Sequence, residues 1–292
     1  MSNMMSKSLD VKGEHVSPLG VGSAAGRIDM GNENLKVKML IWPDEKQFKM
    51  AVYKATLATR GGDVDDATEI DPVVVEDAFK GGLNQCLEWV TTVFEISGVS
   101  RGLTHELVRT RKASFAQQSM RHTDMGDPAM RMPAEIAEEY DKPVNDDGAW
   151  TFGLHTRGGA WEESIAQSKR AYAALIDADV PYQDARTVLP IATETYIIAE
   201  YPLSEFLGTY AYRACHMFYP EIVALFGLMK EALVEKCPWL AEYILIGCEK
   251  TAPSNGLEHM CTYQGWERVE GHCPLAWAKE DNRVFKSRKF EN

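Results

Sequence analysis

Long apolar runs are missing from this chain of 292 residues. No stretch reaches the length needed to span a bilayer, and the N-terminus has no apolar signal core, so a cytoplasmic protein without a membrane partner is expected. Positive charge is also short: 31 Lys and Arg stand against 43 Asp and Glu, a formal net charge of −12. That balance argues against nucleic acid as a partner, because such binding rests on neutralising phosphates. Cysteine is sparse, with six in the whole chain, which does not resemble a disulfide framework. Cys86, Cys215, Cys237 and Cys248 sit in apolar, helix-like contexts and are expected to be buried thiols. Cys261 and Cys273 lie beside His259 and His272 in a turn-rich tail. Neither CxxC nor HxxxH spacing is present there, so no metal site is expected. There is no internal repeat. The remaining composition, 45% hydrophobic and 25% charged, is that of a globular protein large enough to bury a sizeable core.

Against this acidic background one stretch stands out. Arg109 to Arg121 reads R-T-R-K-A-S-F-A-Q-Q-S-M-R and gathers Arg109, Arg111, Lys112 and Arg121 around Ser114, Ser119, Gln117 and Gln118. A compact cationic group in an acidic protein suits a small anionic ligand, since guanidinium forks match phosphate oxygens in bidentate geometry. The serines and glutamines add neutral donors and acceptors able to orient a ring or a sugar. The competing reading is a solvated basic helix face.

The order of elements mixes helices and strands without strict βαβ alternation, which favours an α+β fold. Residues 1–34, rich in Ser, Gly, Asn and Asp, read as a flexible arm. Residues 35–250 read as the working domain and 251–292 as a C-terminal extension. Strands are expected at Val37–Trp42, Trp89–Ser97 (ended by Gly98) and Thr193–Tyr201. Helices are expected from Asp44 to about Thr59, and from Pro72 to about Leu87 with Asp71 as cap. Others are expected from Ser100 to about Val108, Trp161 to about Ala178, and Pro181 to before Pro190. The last are Ser204 to about Tyr212, Pro220–Cys237, and Trp239 to about Cys248. Asp124–Gly158 reads as a long irregular insertion.

Several motifs carry a more specific likeness. Arg109-Thr110-Arg111, seven residues, then Ser119 resembles the R-H-R, seven residues, Ser signature of the flavin-dependent thymidylate synthases. Asp184-Ala185-Arg186-Thr187-Val188-Leu189-Pro190 is similar to that family's A-R-x-V-L-P element, and Tyr212-Arg213-Ala214, six residues, Glu221-Ile222 to its R-A-(six residues)-E-I element. Glu235-Lys236-Cys237-Pro238-Trp239 resembles a run near the family's C-terminus. Four matches in order, over residues 36–248, are far more specific than one motif.

The resemblance implies a compact α+β (mixed α/β) subunit, with a central antiparallel sheet flanked by helices, in a homotetramer with shared active sites. It implies C5 methylation of a pyrimidine nucleotide monophosphate of the dUMP type. The carbon would come from methylene-tetrahydrofolate and the hydride from FAD reduced by NADPH, with the cofactor carrying the hard chemistry. Arg109, Thr110, Arg111 and Gly208 are then expected at FAD. Glu106, Arg109, Gln117, Ser119, Met120, Arg121, Arg186 and Arg213 are expected at the nucleotide, with Ser119 and Arg213 the catalytic pair.

The chain also departs from the family. Thr110 replaces the motif histidine, and Leu83 another histidine upstream of Glu88. Gly208 stands where an asparagine is frequent, and Met217 where a histidine is. Glu106 replaces a glutamine near the nucleotide phosphate, where a carboxylate repels unless it pairs with Arg109 or meets a different ligand group. Most departures fall on the flavin and folate side. They raise a variant acting on UMP or dCMP, or hydroxymethylating, in a modified-nucleotide or nucleoside-antibiotic pathway. They also raise a non-catalytic nucleotide- or flavin-binding homologue.

Overall fold

A computed structural model describes residues 28–29, 34–62, 70, 72–79, 84–144, 155–215 and 218–246. Most of the expected N-terminal arm, the Asp71 cap, Cys248 and the tail with its His and Cys residues lie outside them; within that arm Ile28–Asp29 form a short strand.

An antiparallel sheet of four strands forms the centre, in the order β2 (Lys36–Ile41), β3 (Thr91–Ser100), β6 (Glu194–Pro202), β4 (Ser114–Gln117). The two inner strands run past each other from Thr91↔Pro202 to Ser100↔Glu194. Their inward residues Phe94, Ile96, Ile197, Ala199 and Tyr201 are fully buried, the pattern of alternating β-branched and aromatic side chains on a packed face. A short parallel pair joins β1 (Ile28–Asp29) to β5 (Met130–Arg131). The α+β class and the antiparallel sheet flanked by helices agree with the sequence reading.

Local chemistry sets the helices. α1 (Glu45–Arg60) starts where the Asp44 carboxylate accepts from the Gln47 amide at 2.8 Å, and stops at left-handed Gly61. Phe48, Val52 and Thr56 form its buried stripe. α3 (Arg101–Leu107) starts at the expected cap: the Ser100 hydroxyl accepts from the Leu103 amide at 3.0 Å. α7 (Leu203–Arg213) packs between sheet and α8 (Pro220–Lys236), with Phe206 stacked 5.2 Å from Phe94 and 6.4 Å from Phe226. Cys86, Cys215 and Cys237 are buried and in no disulfide, as read from their contexts; burial pushes the Cys237 thiol up to about 11.

Five boundaries differ from the sequence reading. β3 runs through Gly98 to Ser100, with its register shifted between Ser97 and Val99. Gly98 has φ +74°, and a Cβ there would sit 2.1 Å from the Asn34 carbonyl oxygen, so the glycine permits a bulge rather than ending the strand. α2 (Pro72–Phe79) is followed by a separate 3₁₀ turn at Asn84–Trp89; Gly81 and Gly82 in the intervening sequence disfavour one continuous helix. α5 (Arg157–Asp177) starts four residues early because Thr156 caps it, its hydroxyl accepting from Gly159 at 3.1 Å. The insertion before it contains β5 and α4 (Ala134–Glu138). After Pro238 the described residues, which run to Ile246, form a 3₁₀ turn, Pro238–Leu240, in place of the expected helix, and the Ile244 carbonyl accepts from the Lys230 ammonium at 2.8 Å. α7 begins with Pro202 at its cap position, not Ser204. The expected short helix after Pro181 is α6 (Tyr182–Ala185), continued by a 3₁₀ turn Arg186–Val188.

Candidate active site

β4 enters the sheet with Ser114 opposite Glu200, so the turn before it hangs over the junction of β6 and α7. That turn carries Arg109, Thr110, Arg111 and Lys112, and with α7 it bounds a surface cleft of about 480 Å³. α7 contributes Glu205, Gly208, Thr209 and Tyr212, spaced i, i+3, i+4, i+7 along one face, and then Arg213. A Cβ on Gly208 would meet nothing within 4 Å, so packing does not require glycine there; its lack of a side chain widens the cleft.

The cleft is unevenly neutralised. The Arg213 guanidinium donates to Glu106 Oε2 at 3.2 Å and lies 5.6 Å from the rings of both Tyr212 and Phe218. The pairing of Glu106 with Arg109 that the sequence allowed is not formed: Arg213 takes the carboxylate. Lys112 Nζ meets Glu88 Oε1 at 3.2 Å. Arg109 and Arg111 are exposed, and among the described residues neither has a carboxylate partner. Under the turn, the Tyr201 hydroxyl is buried.

The other candidate residues gather at the far end of β4. Gln117 Nε2 donates to Thr104 Oγ1 at 2.9 Å and to Thr195 Oγ1 at 3.5 Å. Arg101 Nη1 donates to the Gln118 carbonyl at 3.0 Å. Burial first, and then the neighbouring Arg186 charge, hold the Arg101 guanidinium below its ordinary range. Ser119 Oγ accepts from the Arg121 amide at 3.3 Å, Arg121 is exposed, and Met120 is buried. Arg186 donates from Nε to the Gln183 carbonyl at 3.2 Å. The structure therefore collects Arg109, Thr110, Arg111, Gly208 and Arg213 in one cleft, with Glu106 at its edge. Gln117, Ser119, Met120, Arg121 and Arg186 lie apart, displaced by the length of β4, roughly 10–13 Å at ~3.3 Å per residue. Leu83 and Met217 lie outside the described residues.

A second arginine centre was not anticipated. Arg131, on β5, is 4% exposed. Its Nε meets Glu221 Oε1 at 3.1 Å and its Nη1 donates to the Gly98 carbonyl at 2.8 Å. Glu221 also accepts from the Ser100 amide and hydroxyl, both at 2.7 Å. Burial pushes the Glu221 carboxyl up, against the opposing pull of the Ser100 hydrogen bonds and the Arg131 charge. Arg131 was hidden in a stretch read as irregular. Glu205, Thr209 and Tyr212 were also missed, although their helical spacing ahead of Arg213 was available in the sequence.

Among the described residues no helix is long and apolar enough to cross a membrane, and no cluster of His, Cys, Asp and Glu is arranged to hold a metal ion.

Comparison with known proteins gives concordant results. The family described as Thymidylate synthase complementing protein matches residues 27–239. A flavin-dependent thymidylate synthase of Sulfurisphaera tokodaii is 28% identical over 218 residues, covering 73% of this chain and 79% of that protein. One from Geobacter sulfurreducens is 35% identical over 145 residues, covering 49% of this chain and 56% of that protein, little more than half its length. Among solved structures, a UMP/dUMP methylase, PolB, from Streptomyces cacaoi bound with 5-Br dUMP superposes with a TM-score of 0.54 at 18% identity, over 69% of this chain and 91% of that one. Thymidylate Synthase X from Helicobacter pylori with FAD and dUMP gives 0.50 at 18% identity, over 72% and 99%. At that identity the two structures speak to the fold alone.

Proposed function

The chain belongs to the thymidylate synthase complementing protein family, and from that premise we propose that it methylates C5 of a pyrimidine nucleotide of the dUMP type. Methylene-tetrahydrofolate supplies the carbon, and NADPH-reduced FAD the hydride. The observation that carries this reading is the pair of guanidiniums, Arg109 and Arg111, with no carboxylate partner among the described residues, on a cleft whose other cations are already engaged. An unpaired cation pair at a concave site fits the phosphates of a dinucleotide, so the residues present suit FAD. Thr110 on the turn and Gly208 on α7 form the cleft surface beside them. Bound there, FAD supplies hydride to the nucleotide.

Arg213 holds the nucleotide at the rim, once Glu106 yields it. Ser119, with Gln117, Met120, Arg121 and Arg186 around it, forms the other half of the nucleotide site. The length of β4 between Arg213 and Ser119 supports a site completed by a second copy, and hence the shared sites of a homotetramer. Thr110 and Gly208 both line the cleft and both depart from the family pattern, which favours a changed nucleotide or a hydroxymethyl product within the same reaction class.

The test is to incubate the protein with FAD, NADPH and methylene-tetrahydrofolate against dUMP, UMP, dCMP and CMP and to weigh the products. A methyl or hydroxymethyl adduct on one nucleotide is the expected result. Bound flavin with no adduct on any of them supports the non-catalytic homologue instead, and absence of bound flavin removes the reading altogether.

A further inference from the structure

Tyr201 stands one residue before the end of β6 and is wholly buried. Its ring is clamped edge-on by Phe94, Phe115 and Phe206, with centroids 6.3, 5.9 and 6.0 Å away. The register that sets Ser114 against Glu200 brings the next β6 residue, Tyr201, beside the turn that carries Thr110. The phenolic oxygen makes no hydrogen bond of ordinary geometry among the described residues; the Thr110 side chain is the hydrogen-bonding group that faces it, and Glu205 and Arg213 are the nearby charges. All three line the cleft. A buried hydroxyl without a partner costs about 1–3 kcal/mol, and protein interiors leave few of them. Nothing in the proposed reaction uses this one.

We propose that Tyr201 is a positioning residue: its hydroxyl donates to the Thr110 hydroxyl when ligand is seated, turning the Thr110 O–H outward as a donor to an acceptor atom of the ligand. A hydroxyl carries one proton and accepts through its lone pairs, so the direction of the inner bond decides what Thr110 shows the cleft. Burial holds the phenol protonated, so it keeps a proton to donate. In the reverse arrangement its proton would fall to the neighbouring Glu205 carboxylate, which already accepts from Thr209 Oγ1 at 3.4 Å. The ligand atom facing Thr110 is therefore a carbonyl oxygen, ring nitrogen or phosphate oxygen. FAD offers all three, and the inference rests on the FAD reading above. In this chain a threonine backed by a buried tyrosine would take over as the polar contact at the motif's middle position.

FAD titration of the full chain, followed by flavin fluorescence and absorbance, tests this. Tyr201→Phe, which keeps the ring packing, is expected to weaken FAD binding roughly three- to tenfold. Thr110→Val is expected to weaken it as much, Thr110→Ser to keep wild-type affinity, and the Tyr201→Phe/Thr110→Val pair to be no weaker than Thr110→Val alone. Unchanged FAD affinity in Tyr201→Phe, with stability raised by removal of the orphan hydroxyl, overturns the inference. So do additive effects in the pair. Failure of the underlying reading is distinct, because wild-type protein would then not bind FAD.

Discussion

Two arginine centres lie on opposite terms with their surroundings. Arg131 is buried and saturated, its guanidinium held by Glu221 and the Gly98 carbonyl. Arg109 and Arg111 are exposed and have no carboxylate partner among the described residues. The same side chain thus does two jobs. At Arg131 the partners come from the bulge of β3, and through Glu221 from α8 and the cap of α3, so the ion pair ties together the elements that support the cleft. At the turn before β4 the guanidiniums meet no carboxylate among the described residues, which suits the ligand proposed for them. A saturated arginine marks architecture; an unsatisfied pair on a concave surface marks a ligand.

The largest effect should come from breaking the saturated centre. Arg131→Met leaves Glu221 buried and charged, at a cost of about 3–5 kcal/mol. For a chain of this size that lowers Tm by roughly 6–20 °C, readable by calorimetry. Adding Glu221→Met should recover much of the loss, because the stranded charge goes with it. A Tm for Arg131→Met within a few degrees of wild type would show that Arg131 is no more structural than Arg109 and Arg111. Gly98→Ala should follow, at about 2–4 kcal/mol, since its Cβ collides with the Asn34 carbonyl and moves the carbonyl that Arg131 holds. A denaturation midpoint equal to wild type would show that the bulge relaxes freely.

Both centres bear on what the sequence shows by itself. The Arg109-Thr110-Arg111 run was legible because its residues are neighbours in the chain, and Gly208 and Arg213 joined them only through resemblance. The sheet was legible from the alternation at Phe94 and Ile96 and at Ile197 and Ala199. Arg131 was not: its partners lie 33 and 90 residues away, at Gly98 and Glu221, and a two-residue strand leaves no periodic trace. Glu221 was visible as half of a motif, yet nothing local separates a buried strut from a ligand contact. Gly98 misled for a similar reason. A glycine in a strand pattern signals either an end or a bulge, and the deciding neighbour, Asn34, belongs to another segment.

Arg213 lies between the two extremes, paired with Glu106 but with side chains 23% and 43% exposed. Exposed pairs are worth about 0–1 kcal/mol, so Arg213→Ala should hardly move Tm. Nucleotide affinity should fall roughly 10- to 100-fold, as for loss of a charged hydrogen bond, while FAD stays bound. Titration of the FAD-loaded protein with dUMP reads this directly. Loss of FAD with nucleotide binding intact would place Arg213 with Arg109 and Arg111 instead.

The smallest effect sharpens the comparison most, because it changes a cation from one class to the other without touching it. Lys112 meets Glu88 in a pair whose side chains are 62% and 52% exposed. Glu88→Gln should leave stability unchanged within measurement and add a third unpaired cation to the cleft. FAD should bind about two- to threefold tighter at low salt, and the gain should vanish near 0.3 M salt, where the Debye length falls to roughly 6 Å. If FAD binds more weakly instead, Glu88 holds Lys112 in place for the ligand. An engaged cation would then be part of the binding surface, and lack of a partner would no longer mark which charges on this cleft await one.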